Sequence, residues 1–107
     1  MSGPLFGVVI PGRPPIFDFQ PVDTRKAVTL VEHPTTITEI TFFLLPSSPI
    51  PPGFGAILYY AIPPFQNWEV LGSVSPLKPS GIFRTGWSTN EYLIGCPMVQ
   101  LGVAIEQ

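Results

Sequence analysis

Fifteen prolines and ten glycines are spread through the 107 residues of this chain, and they exclude any architecture built on long helices. Each proline removes a backbone N–H and locks φ, so a helix interior cannot hold one without breaking. No stretch keeps a helical period for three turns. Between the breaks lie short runs rich in Val, Ile, Thr, Phe and Tyr, residues that suit a pleated, half-buried surface. Strands are expected over residues 5–10, 27–31, 37–45, 55–62, 68–74, 81–85 and 99–106.

The last of these is the most regular. Val99, Leu101, Val103 and Ile105 alternate with Gln100, Gly102, Ala104 and Glu106, the period of two that puts one set in a core and the other outside. In the run from Trp68 to Val74, simple alternation places Trp68, Val70 and Val74 on one face, opposite Glu69, Leu71 and Ser73. Residues 42–45 and 55–62 are apolar on both faces, as expected of strands inside a sandwich or covered outside by another chain. The reading is an all-β chain: a single antiparallel β-sandwich, with a jelly roll among the arrangements open to it. Residues 11–23 and 46–53 each hold four prolines and are expected as extended loops of polyproline II character. The length fits one domain, and no repeat or composition shift divides it.

Charge narrows the partners. Charged residues make up 11% of the chain against 45% hydrophobic, about half the usual charged share. So few charges leave apolar surface for a partner to cover. The net charge is −2 and Arg25-Lys26 is the one basic pair, which disfavours nucleic acid, whose binding requires a basic stripe. The uncharged stretch 40–68 is long enough to span a bilayer, but six prolines interrupt it. No continuous helix can cross lipid there, and a soluble chain is expected. Met1-Ser2-Gly3-Pro4 does not begin a signal peptide.

Catalytic and metal chemistry find little material. His33 is the only histidine and Cys96 the only cysteine. His33, beside Pro34, reads as a surface-loop residue, and Cys96, between Gly95 and Pro97, as a semi-buried inert thiol. A Cys–His nucleophilic pair is formally open. A structural zinc site usually needs four such ligands, the seven acidic residues are scattered, and no phosphate-binding loop is present. The expectation is a non-enzyme with no cofactor and no metal. Four P-x-x-P matches, at residues 11–14, 46–49, 49–52 and 76–79, suit SH3-type readers but in so proline-rich a chain read first as turns. Phe54, Phe65 and Trp87 sit in or beside expected loops and are the candidate exposed aromatics. Trp87 with Asn90 and Glu91 is the one place a sugar platform could form.

Several blocks together resemble the Hikeshi domain. Ile40-Thr41-Phe42-Phe43-Leu44-Leu45 is followed by Pro52-Gly53-Phe54-Gly55-Ala56 and Leu58-Tyr59-Tyr60. Next come Trp68-Glu69-Val70-Leu71-Gly72 and Lys78-Pro79-Ser80-Gly81-Ile82-Phe83-Arg84. Leu5-Phe6-Gly7-Val8-Val9 leading to Gly12-Arg13, and Gln100-Leu101-Gly102-Val103-Ala104-Ile105-Glu106, fit the two ends. W-x-x-L-G followed by K-P-S-x-I-F is the most specific part. The resemblance implies a homodimeric nuclear import carrier, shuttling between cytoplasm and nucleus, that binds Hsp70-type chaperones in heat stress and passes the pore on phenylalanine-glycine (FG) nucleoporin repeats. It also implies a β-sandwich followed by a helical C-terminal part, and Gln107, directly after the last expected strand, is where that part would begin.

One departure bears on pore contact. Animal members carry a longer loop with a Phe-Gly pair before the final strand, whereas residues 84–96 contain none. Trp87, Tyr92 and Leu93 are the apolar candidates to act there. With Phe54 and Phe65 they make up the expected partner-binding set.

Overall fold

The computed structural model describes residues 5–46 and 50–107. Among the described residues there are eight strands: β1 (Phe6–Val9), β2 (Gln20–Asp23), β3 (Lys26–Glu32), β4 (Glu39–Leu44), β5 (Gly55–Ala61), β6 (Trp68–Val74), β7 (Ser80–Arg84) and β8 (Met98–Glu106). They form two antiparallel sheets, one in the order β1-β4-β7 and the other β2-β3-β8-β5-β6, packed as a sandwich. Short 3-10 turns lie at Pro34–Thr36 and Trp87–Thr89. Among the described residues no helix is long and apolar enough to cross a membrane. Residues 1–4 and 47–49 lie outside the described residues, and with them most of the P-x-x-P match at 46–49.

The clearest expected strand takes the most central place. β8 is the middle strand of the larger sheet, with β3 on one side and β5 on the other. Its inward set, Val99, Leu101 and Val103, packs with Leu58 of β5, Phe42 and Ile40 of β4, and Val8 of β1. Both runs that read as apolar on two faces are internal strands: β4 is the middle of the three-stranded sheet, and β5 lies between β8 and β6. An internal strand has a neighbour on each side, and the side chains of those neighbours shield part of its outer face.

Two expectations are corrected. Residues 11–23 are not loop throughout: Gln20–Asp23 pairs with β3, and Ile16 bridges to Val8. Pro21 is tolerated because β2 is an edge strand, where a missing N–H breaks no ladder. In β6 the simple alternation fails. Leu58 faces Gly72 but Tyr59 faces Val70, so Leu71 is an extra residue, a β-bulge that reverses the faces. Val74 is therefore buried, while Trp68 and Val70 turn outward.

Turn chemistry follows the prolines and glycines. The Pro76–Pro79 stretch is a tight turn, with Ser75 and Lys78 exchanging both backbone hydrogen bonds at 3.0 Å. Where the chain passes from β6 in one sheet to β7 in the other, Phe83 fills the seam. Its ring lies against Gly72 and Gly81, and a β-carbon at Gly72 would overlap it.

Candidate interaction surface

The bulge in β6 turns Trp68 and Val70 onto the outer face of the larger sheet, where they help to form a shallow apolar groove. The outer face of the five-stranded sheet carries Val22, Val28, Tyr59 and Trp68 around a floor of Gly102 and Ala104, enclosing about 280 Å³. Leu30 and Val70 extend this face and are 52% and 61% exposed. The floor is low because Gly102 has no side chain: Trp68 Cζ3 lies 2.9 Å from where its β-carbon would be. Lys26 and Glu106 stand at one end, and the Tyr59 hydroxyl donates to Glu106 Oε2 at 2.8 Å. That hydrogen bond to a carboxylate, with burial and the Glu106 charge adding to it, raises the Tyr59 phenol above its ordinary value. A contiguous apolar face rimmed by a few polar groups is the anatomy of a protein contact.

The five expected partner-binding residues do not form one surface. Trp87 and Leu93 are fully buried, which corrects the expectation that they present themselves to a partner. The local cause is a compact fold of the connection between β7 and β8. The Thr85 hydroxyl donates to the Ile37 carbonyl at 2.7 Å and accepts from the Trp87 N–H at 3.2 Å. The backbone N–H of Tyr92 is held by the Asn90 side chain at 2.9 Å. These ties drive Trp87 and Leu93 inward and leave Tyr92 72% exposed. A buried Trp87 also removes the sugar platform with Asn90 and Glu91.

Phe54 is half-buried against the core, with the Arg25 guanidinium 5.4 Å from its ring centre. Phe65 is half-buried and holds a left-handed φ of 66°. Tyr60 lies 5.3 Å from Trp87, ring to ring. Burial and then the Glu69 charge push the Tyr60 phenol up, and the Trp87 indole pulls it partly back. That indole N–H has no partner at good hydrogen-bonding geometry among the described residues, so its contact with Tyr60 is poorly aligned and weak.

His33 and Cys96 serve the fold. His33 adopts a left-handed φ of 54° before the first 3-10 turn, and its carbonyl accepts from Arg13. The Cys96 thiol donates to the Tyr92 carbonyl at 3.2 Å. Among the described residues no three His, Cys, Asp or Glu gather as a metal site would require.

The outer-face residues escape a search for loop aromatics, because Val22, Val28, Leu30 and Val70 are aliphatic residues within strands. Their signal in the sequence is the charge deficit together with strands apolar on both faces.

Comparison with known proteins places the chain in a family. Residues 9–107 match the family described as "Hikeshi-like, N-terminal domain". The chain is 35% identical to "Protein OPI10 homolog" of Schizosaccharomyces pombe, over 95% of this chain and 52% of that protein. It is 31% identical to "Protein Hikeshi" of Danio rerio and 28% identical to that of Homo sapiens, each over 95% of this chain and 59% of the relative. The chain thus spans little more than half the length of these relatives, and none of their names is that of an enzyme. With the family matched over nearly the whole sandwich, the chain belongs to the Hikeshi-like family and corresponds to its N-terminal domain.

Proposed function

We propose that the chain is the β-sandwich of a non-enzymatic import adaptor. It binds Hsp70-type chaperones and FG-repeat nucleoporins, and carries the former into the nucleus, chiefly in heat stress. It works as a homodimer without a cofactor, shuttling between cytoplasm and nucleus. Family membership motivates the reading, and the apolar outer face of the five-stranded sheet is the observation that supports it. A phenylalanine ring beside a glycine is a small apolar anchor suited to a shallow groove floored by Gly102 and Ala104. Such contacts are weak and short-lived, as passage through a pore demands.

The test is a titration of FG-repeat peptide into the labelled chain, followed by amide NMR shifts. Shifts at residues 22, 28, 68, 70 and 102 support the carrier and locate its pore contact; their absence at millimolar peptide counts against it. Import of labelled Hsp70 in permeabilised cells then reads the whole activity, and unchanged nuclear Hsp70 without the protein would sink the reading.

A second reading is an interaction domain that keeps the Hikeshi fold without carrier activity. It is favoured by one observation: the connection between β7 and β8 has no Phe-Gly pair and turns Trp87 and Leu93 into the core. Here the chain gives no import in the permeabilised-cell assay.

A further inference from the structure

Away from the sheet face, a second cleft lies between the β5–β6 connection and the exposed Tyr92, with a volume of about 290 Å³. We propose that this cleft, lined by Tyr60, Ile62, Pro63, Pro64, Glu69 and Tyr92, binds a proline-rich peptide in polyproline II conformation that carries one basic residue.

The lining supplies each contact such a ligand requires. A polyproline II helix repeats every three residues and has no internal hydrogen bonds. Its prolines pack against flat apolar faces and its carbonyls stay free to accept. Tyr60, Tyr92, Pro63 and Pro64 provide the faces. The side-chain amides of Gln66 and Asn67 also line the cleft and are donors for the carbonyls. Aromatic-lined grooves are how proline-rich segments are recognised in general.

Charge selects the basic residue. Glu69 is the one charged residue lining the cleft, and no cation pairs with it among the described residues. It lies close enough for its charge to act on the Tyr60 phenol. An arginine or lysine of the ligand would place its cation against Glu69 and the neighbouring tyrosines, gaining both charge pairing and cation–π attraction. An FG peptide has no charge to offer and would leave Glu69 unpaired, so this cleft and the sheet face select different ligands.

The experiment titrates the full labelled chain with a blocked peptide of the pattern arginine–x–x–proline–x–x–proline. Shifts are expected at residues 60, 62, 66–69 and 92, with a dissociation constant on the order of 100 μM, usual for a small wet contact. Replacing the prolines of the peptide by alanine abolishes the shifts. Glu69→Gln weakens binding about fivefold, the upper range for one exposed ion pair. Tyr92→Ala, at an exposed position that leaves the core intact, weakens it about tenfold. No shifts at millimolar peptide would overturn the proposal. So would shifts that survive Tyr92→Ala and Glu69→Gln unchanged, or an uncharged FG peptide binding the same cleft equally well.

Discussion

Trp68 covers Gly102: its ring atom Cζ3 sits 2.9 Å from the position a β-carbon would take. The contact joins β6, at the edge of the larger sheet, to β8 at its centre, across the intervening strand. It determines how deep the outer groove is. Gly102→Ala is expected to push the indole outward and open the groove, with a stability loss of about 1 kcal/mol, since a half-exposed ring can move aside. Fluorine NMR of the chain labelled with fluorotryptophan reads this directly. The Trp68 resonance shifts and sharpens, while that of buried Trp87 stays in place.

Removing the carboxylate of Glu106 should let Tyr59 ionise at lower pH. The folded-state value of Tyr59 is raised, so the neutral phenol is the form the fold favours. Its contribution to stability is therefore complete below the unfolded value of about 10 and is lost as pH rises through the folded value. Glu106→Gln keeps an acceptor but removes the charge, moving the phenolate absorbance step toward neutral pH. An unchanged step would show that the hydrogen bond does not govern Tyr59.

The seam between the sheets is closed by one ring on two glycines. Gly72→Val places methyl groups inside the volume of Phe83 and should cost about 2 kcal/mol by overpacking. Phe83→Ala, which empties the seam, should cost about 2–3 kcal/mol, below the usual range for a fully buried phenylalanine because Phe83 is half-buried. Urea unfolding of the two variants and of the double variant tests the pairing: in the double variant the costs are less than additive.

Arg13 ties an expected loop to the turn after β3. Its Nη1 donates to the Glu32 carbonyl at 2.7 Å, and Nη2 to the His33 carbonyl and the Thr36 hydroxyl at 3.2 and 3.0 Å. A lysine has no planar fork to reach all three. Arg13→Lys and Arg13→Ala should therefore both lower stability by about 1 kcal/mol. In thermal unfolding that is a fall of roughly 4–8 °C for a domain of this size.

Much of the architecture is legible before folding because strands advertise themselves locally. The alternation from Val99 to Glu106 places β8 correctly, and residues 42–45 and 55–62, apolar on both sides, mark strands that lie inside their sheets. β2 is hidden because Pro21 argues against a strand, and only its position at an edge makes the proline harmless. The site is harder to read for the same kind of reason. Leu71 looks like any other strand residue, yet the bulge there decides that Trp68 and Val70 face outward. Trp87 looks like a loop aromatic, yet the Thr85–Ile37 hydrogen bond and the packing of two distant 3-10 turns draw it into the core.

The sequence by itself thus determined the class of fold, the family and the surplus of apolar surface, since propensity, proline spacing and charge content act over a few residues or over the chain as a whole. Which apolar residues meet solvent was decided only by tertiary structure. That choice depends on register, bulges and contacts between segments far apart in sequence, and a one-residue slip in a strand reverses every side chain beyond it.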